Sequence, residues 1–211
     1  MTLHGAVTDE TANVRGKGMS AMGYPRHKVL LVAVLMEGGA LAAALLLAEY
    51  FDIDFFPLSL NPVQDVLIGT AGAVVPFILF LLTISEKARK LPLLGSLRET
   101  VLVQVREFFL HTKLVDLVLI SLIAGFAEEM LFRGVLQARY GIIAASAVFG
   151  LLHCVSPAYF IVATLMGLYI GGAFILSGNL LVPIQMHFIY DLAALVYLKF
   201  YVREEIHDDC V

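Results

Sequence analysis

Ala124-Gly125-Phe126-Ala127-Glu128-Glu129-Met130-Leu131-Phe132-Arg133-Gly134 places two adjacent carboxylates and an arginine inside an otherwise apolar run. A carboxylate deep in a bilayer costs roughly 3 kcal/mol even on lenient insertion scales, so ionisable residues in such a run are read as functional. On a helix the three charges take different positions. Arg133 follows Glu129 by four residues, about 40° away around the axis and within reach of an ion pair. Glu129 is therefore expected as the neutralised partner. Glu128 falls about 100° away on another face, where a carboxylate without a partner is the candidate general base. The alternative is that both glutamates pair with Arg133 or a neighbouring helix as a packing device.

Outward from this stretch, the chain of 211 residues is 60% hydrophobic and only 15% charged, with mean hydropathy +0.87. A soluble domain carries about 25% charged residues, so the composition points to an all-α, polytopic membrane protein. The net charge of -4 offers no basic field for nucleic acid. Cys154 lies in an apolar stretch and Cys210 next to the end, so no disulfide framework is implied.

Residues 1–28 read as a polar arm ending in Arg26-His27-Lys28. Residues 29–50 can span the hydrocarbon layer, which needs about 20 apolar residues, and look like a signal anchor. Glu37 lies inside that span and, lacking a companion motif, is expected to face neighbouring helices rather than a site. An acidic, aromatic, proline-marked loop precedes a second span at residues 63–84, whose Pro76 is tolerable because neighbouring helices can satisfy the freed carbonyl. The basic cluster Glu86, Lys87, Arg89, Lys90 and Arg98 follows, cytoplasmic by the positive-inside rule. Residues 99–113 read as an interfacial amphipathic helix, with a re-entrant segment as the alternative.

A long helix is expected at 114–139, ended by Gly141, then a short span at 142–155, a span at 159–176 with the small-residue face Gly167 to Gly172, and a last span at 180–202. That makes about six spans and one interfacial helix. By organisation, 1–28 is an arm, 29–113 the N-terminal spans, 114–202 the core and 203–211 a charged tail. In the core, Phe149 and His153 are four residues apart, as are His187 and Asp191, so each pair shares a helix face. Each motif alone is weak. In the order Glu-Glu-x3-Arg, Phe-x3-His, His-x3-Asp along three helices of a membrane chain, they are specific.

With these residues the sequence resembles the CAAX prenyl endopeptidase and bacteriocin-processing (CPBP, or Abi) family over residues 114–200. The resemblance implies intramembrane proteolysis. Glu128 and His153 would activate a water, while His187 and Asp191 would orient groups or polarise the scissile carbonyl. Glu129, Arg133 and Phe149 would be structural support. Many family members carry Asn where Asp191 stands, and an ionised carboxylate cannot donate a hydrogen bond to an oxyanion.

No cofactor is favoured, although zinc on His153, His187 and Glu128 stays open. The expected partners are membrane lipid and a peptide or membrane-protein substrate, with no nucleic acid, in the plasma membrane of a prokaryote. A proton-coupled carrier and a non-catalytic scaffold or immunity protein of the same fold are the competing classes.

Overall fold

A computed structural model describes residues 23–202; the tail 203–211, with Cys210, and most of the arm 1–28 lie outside them. Every regular element among the described residues is helical. Helix α1 is Arg26–Phe51, α2 Pro62–Gly72 and α3 Val74–Ile84. Beyond a 3-10 turn at Ala88–Lys90 come α4 Pro92–Glu99, a π-helical stretch Thr100–Val105, and α5 Arg106–Phe109. Helix α6 Leu114–Glu129 continues through a second π-helical stretch, Met130–Gln137, into α7 Ala138–Leu152, with α8 Pro157–Ser177 and α9 Leu181–Phe200 completing the bundle.

Among the described residues, four helical segments are long and apolar enough to cross a membrane: Arg26–Phe51, Pro62–Ile84, Pro157–Ser177 and Leu181–Phe200. The other two of the six expected spans are the charged helix carrying the glutamates and the short segment after Gly141. The backbone at Gly141 has φ 83°, a conformation glycine adopts without steric cost, and it separates these two segments as expected. The amphipathic helix starts at Pro92, earlier than residue 99, because Pro at a first helical position costs no hydrogen bond.

Helices α1 and α6 run parallel, clipped at both ends. At one end Arg26 donates from Nε and Nη2 to the two Asp116 oxygens at 2.6 and 2.7 Å. Asp116 also accepts from the Lys113 backbone N–H at 2.7 Å, capping α6. At the other end the Arg139 guanidinium lies 5.3 Å from the centre of the Phe51 ring, which packs edge-on against Tyr140. The stretch from 114 to 140 therefore runs the same length as the apolar α1 beside it. Because both helices begin at the same end, the chain from Pro92 to Phe109 stays at that end and does not cross. Lys199 near the end of α9 donates to the Leu110 carbonyl there at 2.7 Å.

Pro76 removes the donor that would have reached the Gly72 carbonyl, and the Tyr169 hydroxyl of α8 donates to it instead at 2.9 Å. Between α6 and α9 the approach is closest at Gly125. A Cβ there would sit 2.9 Å from the Phe188 nitrogen and 3.1 Å from the Ile184 oxygen. Backbone cannot move aside as a side chain can. Gly125→Ala is therefore expected to lower stability in detergent by about 1–3 kcal/mol, whereas Gly172→Ala, where a Cβ meets nothing within 4 Å, should leave the thermal midpoint near wild type. Equal midpoints for the two variants would contradict this packing.

Candidate functional site

The site is built where α6 passes into its π-helical stretch. Glu129 and Arg133 are fully buried, 0% and 1% exposed. Arg133 Nη1 donates to Glu129 Oε1 at 3.0 Å, the expected ion pair, and Nη2 donates to the Gly167 carbonyl of α8 at 3.1 Å. The small face of α8 is what lets a backbone carbonyl come so close: a Cβ at Gly167 would meet Ser146 at 3.0 Å. One turn on, Gln137 repeats the contact with the Gly171 carbonyl at 2.9 Å.

Glu129 does more than neutralise Arg133. The sequence turns it away from the site, but its Oε1 lies 2.7 Å from His187 Nδ1, so the same carboxylate ties α6 to the site histidine on α9. The other ring nitrogen, Nε2, is 3.3 Å from Asp191 Oδ2, one turn along α9. A carboxylate thus faces each ring nitrogen of His187.

His153 ends α7 as its C-cap residue, with φ -98° and ψ 15°. Its Nδ1 is 2.9 Å from the Phe149 carbonyl, a bond that places N–H on Nδ1 and leaves the lone pair on Nε2. That Nε2 faces Glu128, 3.7 Å from Oε1, inside the about 6 Å that one bridging water requires. Phe149 is the packing hub. Its ring stacks on His153 at 4.3 Å, meets His187 edge-on at 6.1 Å and Phe132 at 4.9 Å, and lies 5.1 Å from the Arg133 guanidinium.

Glu128, Glu129, Arg133, Phe149, His153, His187 and Asp191 are thus brought together from three helices. Glu37, expected to face neighbouring helices, lies half-buried on α1, which packs against α6, and keeps one buried carboxylate oxygen without a hydrogen-bond partner. A lone carboxylate within an apolar span turns to the bundle interior rather than to lipid. Among the described residues no group of three His, Cys, Asp or Glu side chains is arranged to hold a metal ion. His187 has both ring nitrogens engaged by carboxylates, so a zinc set containing it would require one of those contacts to open.

The fold and this cluster define a polytopic helical membrane protein with a glutamate and histidine centre. Residues 110–193 match the family described as Type II CAAX prenyl endopeptidase Rce1-like, and all seven clustered residues lie in that segment. The chain is also 36% identical over 110 residues to the uncharacterized protein YpbD of Bacillus subtilis (strain 168), an alignment covering 50% of this chain and 58% of that protein. The chain thus spans little more than half the length of this curated relative. No solved structure matches the chain.

Arg133→Ala would leave the buried Glu129 carboxylate with His187 alone and remove the tie to the Gly167 carbonyl, an expected loss of about 3–5 kcal/mol, read as lower folded yield and a lower thermal midpoint in detergent. Arg133→Lys should recover only part of it, because one ammonium does not reproduce the guanidinium fork that reaches both Glu129 and the Gly167 carbonyl. Full recovery by lysine would count against the two-point contact.

Proposed function

We propose that this protein is an intramembrane endopeptidase in which Glu128 and His153 activate a water for attack on a peptide carbonyl. The observation that carries this reading is the 3.7 Å gap between Glu128 Oε1 and His153 Nε2. Both are hydrogen-bond acceptors once Nδ1 donates to the Phe149 carbonyl, and a water with two O–H bonds complements two acceptors. In the reaction the water oxygen bonds to the carbonyl carbon, its proton passes to Glu128, and the π electrons move onto the carbonyl oxygen. When the C–N bond breaks, the amine takes that proton from Glu128.

The oxyanion needs a donor, and His187 Nε2–H supplies it in this reading. At 3.3 Å its contact with Asp191 is long for a charge-assisted hydrogen bond, so it can be shared with a substrate oxygen. Asp191 then serves as the acceptor that orients the imidazole. This removes the difficulty of an aspartate standing where an asparagine would donate, since the donor is the histidine.

A metal-free reaction is favoured because the His187 nitrogens are committed to Glu129 and Asp191. The family description makes prenylated peptides one substrate class to be tried, alongside leader peptides and membrane-protein segments. The Bacillus relative is consistent with a prokaryotic plasma membrane. Access is proposed from the end that carries the basic loop. There α7 stops at His153, and the Ser156 hydroxyl, three residues on, is bonded at 3.1 Å to Thr100 of the non-crossing helix.

Glu128→Gln keeps the shape of the side chain but cannot take a proton, so it is expected to lower peptide cleavage by about 100-fold or more, with folded yield and thermal midpoint close to wild type. Retention of most cleavage would remove Glu128 from the base role, whereas absence of cleavage by the wild type would favour a carrier or scaffold. Separately, extensive chelation should leave an active protein with less than one equivalent of zinc by elemental analysis. Activity lost to chelator and restored by zinc would make the histidines ligands.

A further inference from the structure

We infer that Glu37 is an acidic subsite that recognises a Lys or Arg side chain of the substrate beside the scissile bond. This inference rests on the proteolytic reading of the same site and adds its substrate class. The geometry begins with register. Helices α1 and α6 are parallel and clipped by the Arg26 to Asp116 ion pair. Glu37 is eleven residues beyond Arg26 and Glu128 is twelve beyond Asp116, which places them at about 17 and 18 Å along neighbouring helices. They stand at one level of the bundle. Helix α1 packs on α6 and on the π-helical stretch that follows it, and Ala40 and Ala44, one and two turns on from Glu37, lie in the cluster of Met130 and Phe149.

The cluster is rich in acceptors and short of donors. Arg133 directs its guanidinium at Glu129 and the Gly167 carbonyl, His187 points its nitrogens at Glu129 and Asp191, and His153 Nδ1 is bonded to the Phe149 carbonyl. Glu37, Glu128 and Glu129 each keep one buried carboxylate oxygen without a hydrogen-bond partner. Such orphaned atoms in a native fold call for a ligand, a water or a proton. Four carboxylates, counting Asp191, face Arg133 and His187 as the cationic partners, so the complementary ligand brings N–H donors and positive charge.

A catalytic water answers for Glu128, and Glu129 already holds two partners on its other oxygen. Glu37 has no such account. It lies on α1, outside the segment 110–193 that carries the family match, and the water chemistry proposed above makes no use of it. A half-buried carboxylate level with the reacting carbonyl, unneeded for chemistry, selects substrates by the charge it leaves to be matched.

The test uses the full chain in detergent or lipid nanodiscs and a peptide library in which one position at a time is Lys, Arg, Gln or Glu. Wild type is expected to show kcat/KM about tenfold or more higher for Lys or Arg than for Gln at one position, the scale of a desolvated charge pair. Glu37→Gln should bring that ratio to about one, and Glu37→Lys should turn the preference towards Glu. A wild type without charge preference, or a preference that survives Glu37→Gln, overturns the subsite. Zinc-dependent activity with loss of bound zinc in Glu37→Gln would overturn it in favour of a metal ligand.

Binding to Glu128→Gln, read by fluorescence anisotropy of labelled peptides, separates the two proposals. If nothing is cleaved but the Lys peptide binds about tenfold tighter than its Gln counterpart, the subsite stands and the protease reading falls. Cleavage without charge preference sinks the subsite alone. Neither cleavage nor selective binding overturns both.

Discussion

The buried carboxylate of Glu129 is the constraint on which the rest of this bundle depends. One oxygen accepts from Arg133 on its own helix and lies within hydrogen-bonding distance of His187 on α9. Arg133 in turn reaches the backbone of α8. A single ionic junction therefore fixes three helices in a medium where no water would compensate a broken contact. Pairing alone does not make such a junction stabilising, because desolvating both ions offsets much of their attraction. What it provides is position. Helices in lipid lack a hydrophobic drive to associate with one another, and small residues and polar contacts select the partner and the register.

The glycines of α8 and α6 are the other half of that selection. Gly167 and Gly171 let Arg133 and Gln137 touch carbonyls of α8, and Gly125 lets α6 lie directly on the backbone of α9. The π-helical stretch from Met130 to Gln137 lies where these contacts are made. Widening the helix by one backbone atom group per turn re-aims side chains, a use such bulges have near functional sites. Phe149, packed on both histidines and on Arg133, then fills the space between the charged groups, so that the imidazoles are held by ring contacts as well as by hydrogen bonds.

Much of this was legible in the sequence because it depends on local spacing. The Glu129 to Arg133 pair, the placement of Asp191 beside His187 and the break at Gly141 are consequences of where residues fall along one helix. The bond from His187 to Glu129 was not legible. Spacing on α9 says which residues share its face, but which side chain of another helix meets that face depends on the crossing that Gly125 permits. The count of spans was less legible still. Hydropathy identifies a helix that is apolar throughout, whereas the helix carrying Glu128, Glu129 and Arg133 earns its place by burying charge.

Glu37 shows how the two kinds of information differ. Read along α1, it is a single charge with no motif, and α1 falls outside the segment matched to the family. Read across the parallel pair, the Arg26 to Asp116 clip sets it level with Glu128. A clip at a helix end thus acts at a distance: with both axes parallel and the same rise per residue, fixing one pair of residues fixes the level of every later pair. In the proposed reading, the groups for bond cleavage lie on the helices that carry the polar motifs, while a residue that reads the substrate can sit on any helix that borders the site. In that reading the first helix, poor in motifs, is the place where specificity can vary without disturbing the groups held by Glu129.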